Sequence, residues 1–291
     1  MAMRIGFAGL GVMGAPMARH LIAAGHAVAG FNRSPEKAQA WAEATGGRFA
    51  ATIAESAKDA ELFILCVGND DDVRQVVAEA LPHLAPGAVI VDHTTTSAKV
   101  AREMAEAAAR DGRSFVDAPV SGGQAGAENG QLSVMAGGEA AALERAEPAL
   151  KAYSKAIKHM GPSGAGQLTK MVNQIAIAGV VQGLAEAVHF AQAAGLDTDA
   201  VYDAVSKGAA QSWQMDNRWK TAAKGEFEFG FAVDWMRKDL GLVLDEARAN
   251  GAHLAVTALV DQFYSEVQAM GGSRWDTSSL AARLQQRSRS R

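Results

Sequence analysis

The chain has 291 residues, a net charge of -4, 48% hydrophobic residues and 21% charged residues. These values are typical of a globular protein with one large domain or two ordinary ones, and they give no general basic surface for nucleic acid or an anionic membrane. The single cysteine, Cys66, excludes an intrachain disulfide and a zinc site built on cysteine pairs, and the seven histidines lack metal-binding spacing. We therefore expect a small-molecule partner and no metal.

Short apolar runs alternate with amphipathic runs through the first half of the chain, which predicts strands that alternate with helices. The alternation favours parallel strands joined by right-handed helical crossovers. The predicted strands are residues 4–8, 27–32, 61–67, 88–93, 114–120, 131–137 and 156–160.

The pattern changes near residue 161, where a glycine-rich stretch precedes a helical pattern that continues to about residue 194. Further helices follow, without a convincing strand. We place a domain boundary after residue 163. The predicted fold is a doubly wound α/β domain over residues 1–163, followed by an all-α domain over residues 164–291, linked by the long helix.

No targeting or membrane segment is predicted. The first apolar run is interrupted at once by glycines, and no basic leader, cleavable apolar segment or apolar run of about 18 residues follows it. We therefore expect a cytoplasmic protein that binds neither nucleic acid nor a membrane.

A glycine-rich sequence, GLGVMG over residues 9–14, lies between the first predicted strand and the first predicted helix. Gly9 permits a tight turn, Gly11 lets a pyrophosphate approach the main chain, and Gly14 lets the helix pack against the strand. The amides at the helix N-terminus would face the phosphates. A turn without a ligand is the alternative, but the strand and helix on either side favour a dinucleotide. The predicted contacts are Gly9, Leu10, Gly11, Val12, Met13 and Gly14.

The end of the second predicted strand bears on which dinucleotide binds. An acidic residue there usually holds a free ribose 2'-hydroxyl, whereas arginine attracts a 2'-phosphate. This chain has Asn32, Arg33 and Ser34, with no acid before Glu36. The sequence therefore favours NADP, and NAD bound through Asn32 stays open.

Three further motifs follow in the chain: DAPVSGG over residues 117–123, GQLTKMVNQ over residues 166–174 and RKDL over residues 237–240. Together with the glycine-rich sequence, and in this order, they resemble the beta-hydroxyacid dehydrogenase family, which includes 3-hydroxyisobutyrate dehydrogenase and tartronate semialdehyde reductase. The resemblance runs almost end to end. It implies a Rossmann-like N-terminal domain joined by a long helix to an all-helical C-terminal domain, with the substrate held in the cleft between them.

The SGG turn of the second motif follows a predicted strand, so its hydroxyl and amides could receive a carboxylate at the carboxyl edge of the sheet. An ordinary turn is the alternative. Resemblance to the family's substrate-carboxylate loop favours substrate binding by Ser121, Gly122 and Gly123.

Lys170 falls in the opening turns of the long helix, with Asn173 and Gln174 on the same helix face. Its neighbours are apolar, so the helix is predicted to be buried and the lysine to face a polar group. The resemblance makes Lys170 the catalytic general acid and base, and Asn173 or Gln174 the amide that orients the substrate oxygen. Many relatives have a second asparagine in place of Gln174, which leaves that hydrogen bond open. The Asn-Gln form resembles the tartronate semialdehyde reductase branch.

Resemblance also suggests roles for residues outside the main motifs. Ser212 and Trp213 are predicted to select the substrate. His93 stands where many relatives have serine and is predicted to be structural, and Phe231 and Trp235 are interpreted as helix core in preference to ligand contacts. The remaining predicted cofactor contacts are Val67, Val73, Thr95 and Lys238.

These features predict an oxidoreductase that transfers a hydride between NADP(H) and a short beta-hydroxy acid and semialdehyde pair. The apolar long helix makes a homodimer or homotetramer plausible.

An imine reductase would share the fold and the Asn-Arg-Ser sequence, although such relatives usually lack this lysine. A non-catalytic NADP-binding scaffold would be natural only if the lysine were lost. Decarboxylating 6-phosphogluconate dehydrogenases have a similar Lys-Met-Val run but a much longer C-terminal domain.

Overall fold

The computed structural model describes residues 2–289. The chain divides into two compact units, Met1–Lys170 and Met171–Arg291. The division falls in the first turns of a 29-residue helix, Ala165–Ala193. The predicted boundary after residue 163 lies just before this helix.

The first unit contains a nine-stranded sheet. Its strands are β1 (Arg4–Ala8), β2 (Ala27–Phe31), β3 (Arg48–Phe49), β4 (Leu62–Leu65), β5 (Val89–Asp92), β6 (Ser114–Asp117), β7 (Val120–Ser121), β8 (Leu132–Gly137) and β9 (Ser154–Gly161). The strand order is β3-β2-β1-β4-β5-β6-β8-β7, and β9 pairs with β8. Strands β1 to β6 are parallel to one another.

The sheet differs from the predicted pattern in three places. β8 runs antiparallel to β6 and β7, so the expectation of parallel strands is wrong there. The predicted strand over residues 114–120 is divided into β6 and β7 by Ala118 and Pro119, because proline cannot donate a ladder hydrogen bond. β3 was not predicted, since two residues are too few to show a period.

Strand β4 shows why the sheet has a hydrophobic core on both faces. Leu62 and Ile64 belong to one buried cluster, whereas Phe63 and Leu65 belong to a second cluster. Successive side chains of a strand point to opposite faces, so an uninterrupted apolar run marks a strand that is covered on both sides. The helices of this unit provide the cover, which makes the domain doubly wound.

The first five helices of this unit each follow a strand of the parallel part of the sheet and so begin at its carboxyl edge. Three of them have side-chain caps: Thr52, Asn69 and Ser97 accept hydrogen bonds from backbone amides of their own first turns. The helices are α1 (Gly14–Ala23), α2 (Pro35–Thr45), α3 (Ile53–Ala57), α4 (Asp70–Ala80), α5 (Ala98–Arg110), α6 (Gly123–Glu128), α7 (Ala140–Leu150) and α8 (Ala165–Ala193).

The second unit is helical. After the remainder of α8 it comprises α9 (Thr198–Val205), α10 (Trp213–Lys224), α11 (Val233–Asn250), α12 (Ala255–Ala269) and α13 (Leu280–Arg289). Between residues 171 and 289 the only strand-like pairing is an isolated bridge between Ala232 and Asp276. The core of the second unit includes Met236 and Leu240 of α11 and Val260 and Tyr264 of α12. In each helix the two residues are four positions apart and so lie on one face.

Helix α8 contains an apolar stretch that was not expected. Its most apolar 18-residue window has a mean hydropathy of 1.3, which by length and composition alone would suffice to cross a membrane. The prediction that no such run exists is therefore wrong. In this structure 44% of the window is buried, and the core helix of a folded protein meets the same criterion, so the stretch is weak support for a membrane span.

Candidate active site

The three glycines of residues 9–14 have different surroundings, so glycine serves a different purpose at each position. A Cβ atom on Gly9 would lie 2.2 Å from the carbonyl oxygen of Cys66, and one on Gly14 would lie 1.9 Å from the carbonyl oxygen of Gly9. Close packing within the chain therefore requires both glycines. A Cβ atom on Gly11 would meet no protein atom within 4 Å, so Gly11 faces space that a ligand could enter.

Helix α1 begins directly after this loop without a side-chain cap and without an acidic residue in its first turn. Its N-terminal amides can therefore receive an anion. Leu10 is buried, Met13 packs against the first core cluster, and Val12 is exposed. The loop thus presents its main chain, chiefly at Gly11 and Val12, and fits the phosphates of a dinucleotide.

Asn32, at the end of β2, fixes the glycine-rich loop. Its Oδ1 accepts a hydrogen bond from the Leu10 amide at 3.0 Å, and its Nδ2 donates to the carbonyl oxygen of Ser34 at 3.2 Å. Ser34 stands at the N-cap of α2, yet its side chain makes no capping hydrogen bond. The Arg33 side chain is 88% exposed. Arg33 and Ser34 are therefore better placed than Asn32 to meet a further phosphate.

The turn after β5 is tied to the loop after β4, because the Val67 amide donates to Thr94 Oγ1 at 3.0 Å. Thr95 lies half-buried between the buried Thr94 and Thr96, so it is the threonine of this turn that reaches solvent. Val73 is fully buried in the second core cluster. The structure therefore makes Val73 a core residue, contrary to the expected adenine contact, because α4 turns that face toward the sheet.

Two buried polar side chains attach the start of α8 to the sheet, and neither was predicted from the sequence. Asp117, the last residue of β6, accepts hydrogen bonds from the amides of Gly164 at 2.7 Å and Gln167 at 3.0 Å. The Gln167 side chain accepts from the Thr96 amide at 3.0 Å and donates to the Thr94 carbonyl at 2.7 Å. Two sequence features could have predicted this attachment: the acidic residue at the end of an apolar strand, and the glycine-rich sequence at the start of the long helix.

Asp117 occupies a crowded environment. Burial raises the pKa of Asp117 above its ordinary value, while hydrogen bonds from the amides of Gly164, Gln167 and Gly166 act in the opposite direction. A Cβ atom on Gly166 would lie 2.5 Å from the Asp117 carbonyl oxygen. Gly166, in the first turn of α8, thus allows the helix N-terminus, with its positive dipole end, to reach this carboxylate.

Lys170 lies one turn after Gln167. Its side chain is buried, and Nζ donates a hydrogen bond to the Val120 carbonyl oxygen at 2.9 Å. Val120 immediately precedes Ser121, which is half-buried, and Gly122 and Gly123, which are exposed. A Cβ atom on Gly123 would meet no protein atom within 4 Å. The structure therefore brings the lysine and the SGG turn together and leaves space in front of the turn.

In the second unit, Asn173 and Gln174 form a short amide chain that ends on a carboxylate. Asn173 Nδ2 donates to Gln174 Oε1 at 2.8 Å, and Gln174 Nε2 donates to Asp239 Oδ2 at 2.7 Å. Because an ionised carboxylate only accepts, Asp239 fixes the orientation of both amides. Gln174 is 2% exposed, so it is placed to position Asn173. Lys238 Nζ lies 3.4 Å from Asp239 Oδ1.

Ser212 and Trp213 lie at the start of α10. The Ser212 hydroxyl accepts from the Met215 amide at 3.0 Å and so caps the helix. The Trp213 ring is exposed and lies 4.9 Å from the Arg218 guanidinium. Phe231 and Trp235 are also exposed, so their interpretation as helix core is wrong.

His93 is structural, as predicted. It is fully enclosed, with Nδ1 2.6 Å from the Ala118 carbonyl oxygen and Nε2 2.8 Å from the Tyr153 hydroxyl. A carbonyl only accepts, so Nδ1 carries the proton and Nε2 accepts from Tyr153. Burial lowers the pKa of His93 from 6.5 to about 4. Within residues 2–289 no group of three histidine, cysteine or acidic side chains is arranged to hold a metal.

Comparisons with known proteins show the family of the chain. One family model, the NAD binding domain of 6-phosphogluconate dehydrogenase, matches residues 4–161, and another, NAD-binding of NADP-dependent 3-hydroxyisobutyrate dehydrogenase, matches residues 164–284. An uncharacterized oxidoreductase of Shewanella frigidimarina is 60% identical over 97% of this chain and 98% of its own length. A 2-(hydroxymethyl)glutarate dehydrogenase of Eubacterium barkeri is 34% identical over 96% of this chain and 94% of its own length.

Among solved structures, 3-hydroxyisobutyrate dehydrogenase of Mycobacterium tuberculosis with L-serine has a TM-score of 0.89 and 32% identity, covering 98% of this chain and 99% of that chain. The chain belongs to the beta-hydroxyacid dehydrogenase family and is an NAD(P)-dependent oxidoreductase. The predicted family and the predicted Rossmann-like and all-helical architecture are confirmed.

Replacing Asp117 should weaken the attachment of α8. In Asp117→Asn the NH2 group cannot accept, so one backbone amide loses its acceptor, and we expect the free energy of unfolding to fall by about 2 kcal/mol. Urea denaturation would measure it, with Asp203→Asn as the control because Asp203 is an exposed carboxylate on α9. Equal stabilities of the two variants would contradict the anchoring role.

His93 should make stability depend on pH. The unfolded chain binds a proton at this residue below about pH 6.5 and the folded chain only near pH 4. Acid therefore favours unfolding, and roughly 3 kcal/mol is lost as the pH falls through this window. Denaturation at pH 7 and pH 5 should show a smaller loss in His93→Gln, which does not titrate. The same pH dependence in both proteins would refute the neutral, buried state of His93.

Proposed function

We propose that this oxidoreductase interconverts a short beta-hydroxy acid and its semialdehyde, with NADP(H) as the preferred cofactor and Lys170 as general acid and base. The observation that carries the proposal is the buried Lys170 side chain, whose Nζ donates to the carbonyl oxygen of Val120, one residue before the open SGG turn. A buried lysine beside a space that can admit a ligand is suited to proton transfer.

The proton step follows from the chemistry of the reaction. The nicotinamide, when bound, accepts or supplies the hydride. In oxidation a neutral Lys170 would take the hydroxyl proton as the hydride leaves carbon, and in reduction the ammonium would give a proton to the developing alkoxide. The Val120 carbonyl accepts one N–H of Lys170 at 2.9 Å and so fixes the direction of the side chain.

The SGG turn supports an acid substrate. The Ser121 hydroxyl and the amides of Gly122 and Gly123 are donors of the kind that bind a carboxylate, and a Cβ atom on Gly123 would meet nothing within 4 Å. The relatives named for 3-hydroxyisobutyrate and 2-(hydroxymethyl)glutarate are similar over nearly the whole chain. Both names denote acids with a hydroxyl group on the beta carbon, which supports this substrate class.

The end of β2 supports the preference for NADP(H). Arg33 and Ser34 offer a guanidinium and a hydroxyl group that makes no capping bond, and no carboxylate follows β2 directly. Asn32 is already bonded to the Leu10 amide. A 2'-phosphate would therefore find donors there, whereas a free 2'-hydroxyl would lack the usual acidic acceptor.

Two other functions fit the observations less well. Imine reductases share the fold at 22% identity or less in the examples compared, and the fold alone does not identify a substrate. A non-catalytic scaffold would have no use for a buried lysine at the SGG turn. Lys170 thus favours the hydroxyacid reaction over both.

The proposed assembly is a homodimer or homotetramer in the cytoplasm. Over its second-unit part, α8 exposes a stripe at heptad-like spacing that includes Val172, Val180 and Phe190. Between these residues the small residues Ala176, Gly183 and Ala187 are exposed, together with Glu186. A second copy of the chain could pack closely against such a face. The soluble dinucleotide cofactor supports a cytoplasmic location.

Lys170→Ala tests the catalytic proposal. We expect single-turnover hydride transfer, followed by nicotinamide absorbance in stopped flow at saturating substrate, to slow by roughly a hundredfold to ten-thousandfold. Cofactor affinity should hardly change. Lys170→Arg should not restore the rate, because a guanidinium does not release its proton near neutrality. The exposed Lys155 of β9 provides the control, Lys155→Ala. A Lys170→Ala rate within a few fold of the wild type would remove Lys170 from the mechanism.

Arg33→Ala tests the cofactor preference. Loss of a charged hydrogen bond to the 2'-phosphate should weaken NADPH binding by roughly 1.5 to 3 kcal/mol and leave NADH binding nearly unchanged. Calorimetric titration would measure both affinities, and Arg48→Ala on the neighbouring β3 is the control. An equal loss for both cofactors would make Arg33 merely structural.

A further inference from the structure

Arg33 makes an ion pair that crosses the carboxyl edge of the sheet. Its Nη1 lies 3.5 Å from Asp72 Oδ1. Arg33 follows β2, whereas Asp72 lies in the first turn of α4, after β4. Strand β1 lies between β2 and β4. Arg33 and Asp72 therefore lie after the two strands on either side of β1, the strand that the glycine-rich loop follows.

The carboxylate is the fixed partner of this pair. Asp72 Oδ2 accepts a hydrogen bond from the Gly68 amide at 3.1 Å, and the Asp72 amide donates to Asn69 Oδ1 at 2.9 Å. The N-terminal end of α4 also favours a negative charge in this turn. The Arg33 side chain is largely exposed, so Asp72 is the better fixed partner of the pair and offers the guanidinium a stationary negative charge.

Asp72 would affect the binding of a 2'-phosphate at Arg33 in two ways, one that strengthens binding and one that weakens it. The ion pair could hold Arg33 ready, but an exposed pair orders a long side chain only weakly. Against this, the carboxylate competes for the same guanidinium and repels a phosphate that carries up to two negative charges. Repulsion grows with the charge of the ligand and preorganisation does not, so competition should dominate.

We infer that Asp72 is a specificity-determining residue that weakens binding of 2'-phosphorylated cofactors by holding Arg33 and repelling the phosphate. The inference rests on the proposed NADP(H) site at Arg33. Asp72 thus keeps the discrimination between NADP(H) and NAD(H) smaller than Arg33 alone would make it. No contact with the reacting atoms is involved.

Asp72→Asn removes the charge and keeps an oxygen for the Gly68 amide. The matched control is Asp71→Asn, since Asp71 lies in the same turn but pairs with Arg74 at 2.9 Å. Calorimetric titration with adenosine 2',5'-bisphosphate and with ADP isolates the adenosine end of the cofactor. We expect Asp72→Asn to bind the bisphosphate roughly 3- to 10-fold more tightly, and ADP within about twofold of the wild type. Asp71→Asn should show less than half of that gain.

The double variant Arg33→Ala/Asp72→Asn tests the route through Arg33. Compared with Arg33→Ala alone, the gain for the bisphosphate should be smaller than in the wild-type background, because the competition for the guanidinium is gone and only the repulsion by Asp72 remains. An undiminished gain would overturn the inferred role of Arg33. Unchanged or weaker bisphosphate binding in Asp72→Asn, with normal ADP affinity as proof of an intact site, would overturn the inference.

The same titrations separate failure of this inference from failure of the proposed NADP(H) site. If the wild type binds the bisphosphate no more tightly than ADP and Arg33→Ala changes neither affinity, the NADP(H) site itself is wrong. If the wild type shows an Arg33-dependent preference that Asp72→Asn leaves unchanged, only the role of Asp72 is wrong.

Discussion

The hydrogen bonds to the buried carboxylate of Asp117 are the interaction on which the position of Lys170 in the first unit depends. The carboxylate holds the N-terminal amides of α8 at Gly164 and Gln167, and this fixes the helix that carries Lys170. Three residues after Asp117, the Val120 carbonyl oxygen accepts a hydrogen bond from Lys170 Nζ. The short segment from Asp117 to Val120 therefore sets both the start of the helix and the direction of its lysine, which is the kind of rigid support that the proposed role of Lys170 requires.

A second buried polar group supports the same segment from the side of β5. His93 donates to the Ala118 carbonyl and accepts from the Tyr153 hydroxyl, so Ala118 is held between the anchor at Asp117 and the SGG turn. Because buried polar groups are costly unless all of them are bonded, such a network specifies one backbone arrangement. Gln167 extends it to the turn that carries Thr95, and thus links the predicted cofactor contact to the helix with the lysine.

Sequence patterns predicted those features that depend on neighbours along the chain. The glycine-rich loop, the apolar strand runs and the long helix are local patterns, and the structure contains each of them. The roles of Asp117 and Gln167 are contacts between residues about fifty or more positions apart, and a single chain gives no measure of such pairings. The exposed Phe231 and Trp235 show the same limit, because spacing on a helix identifies a face but not what covers it.

Gln174 illustrates how a buried amide can position a neighbouring side chain. Gln174 carries one more methylene group than asparagine, and its amide bonds to the buried Asp239 carboxylate. A buried charge requires a donor, so this longer side chain serves Asp239 and turns its oxygen toward Asn173. Asn173 then has a fixed orientation, with its NH2 group directed to Gln174. The half-buried Asn173, with its carbonyl oxygen on the other side of the amide, is consequently the residue of this pair that can face a substrate.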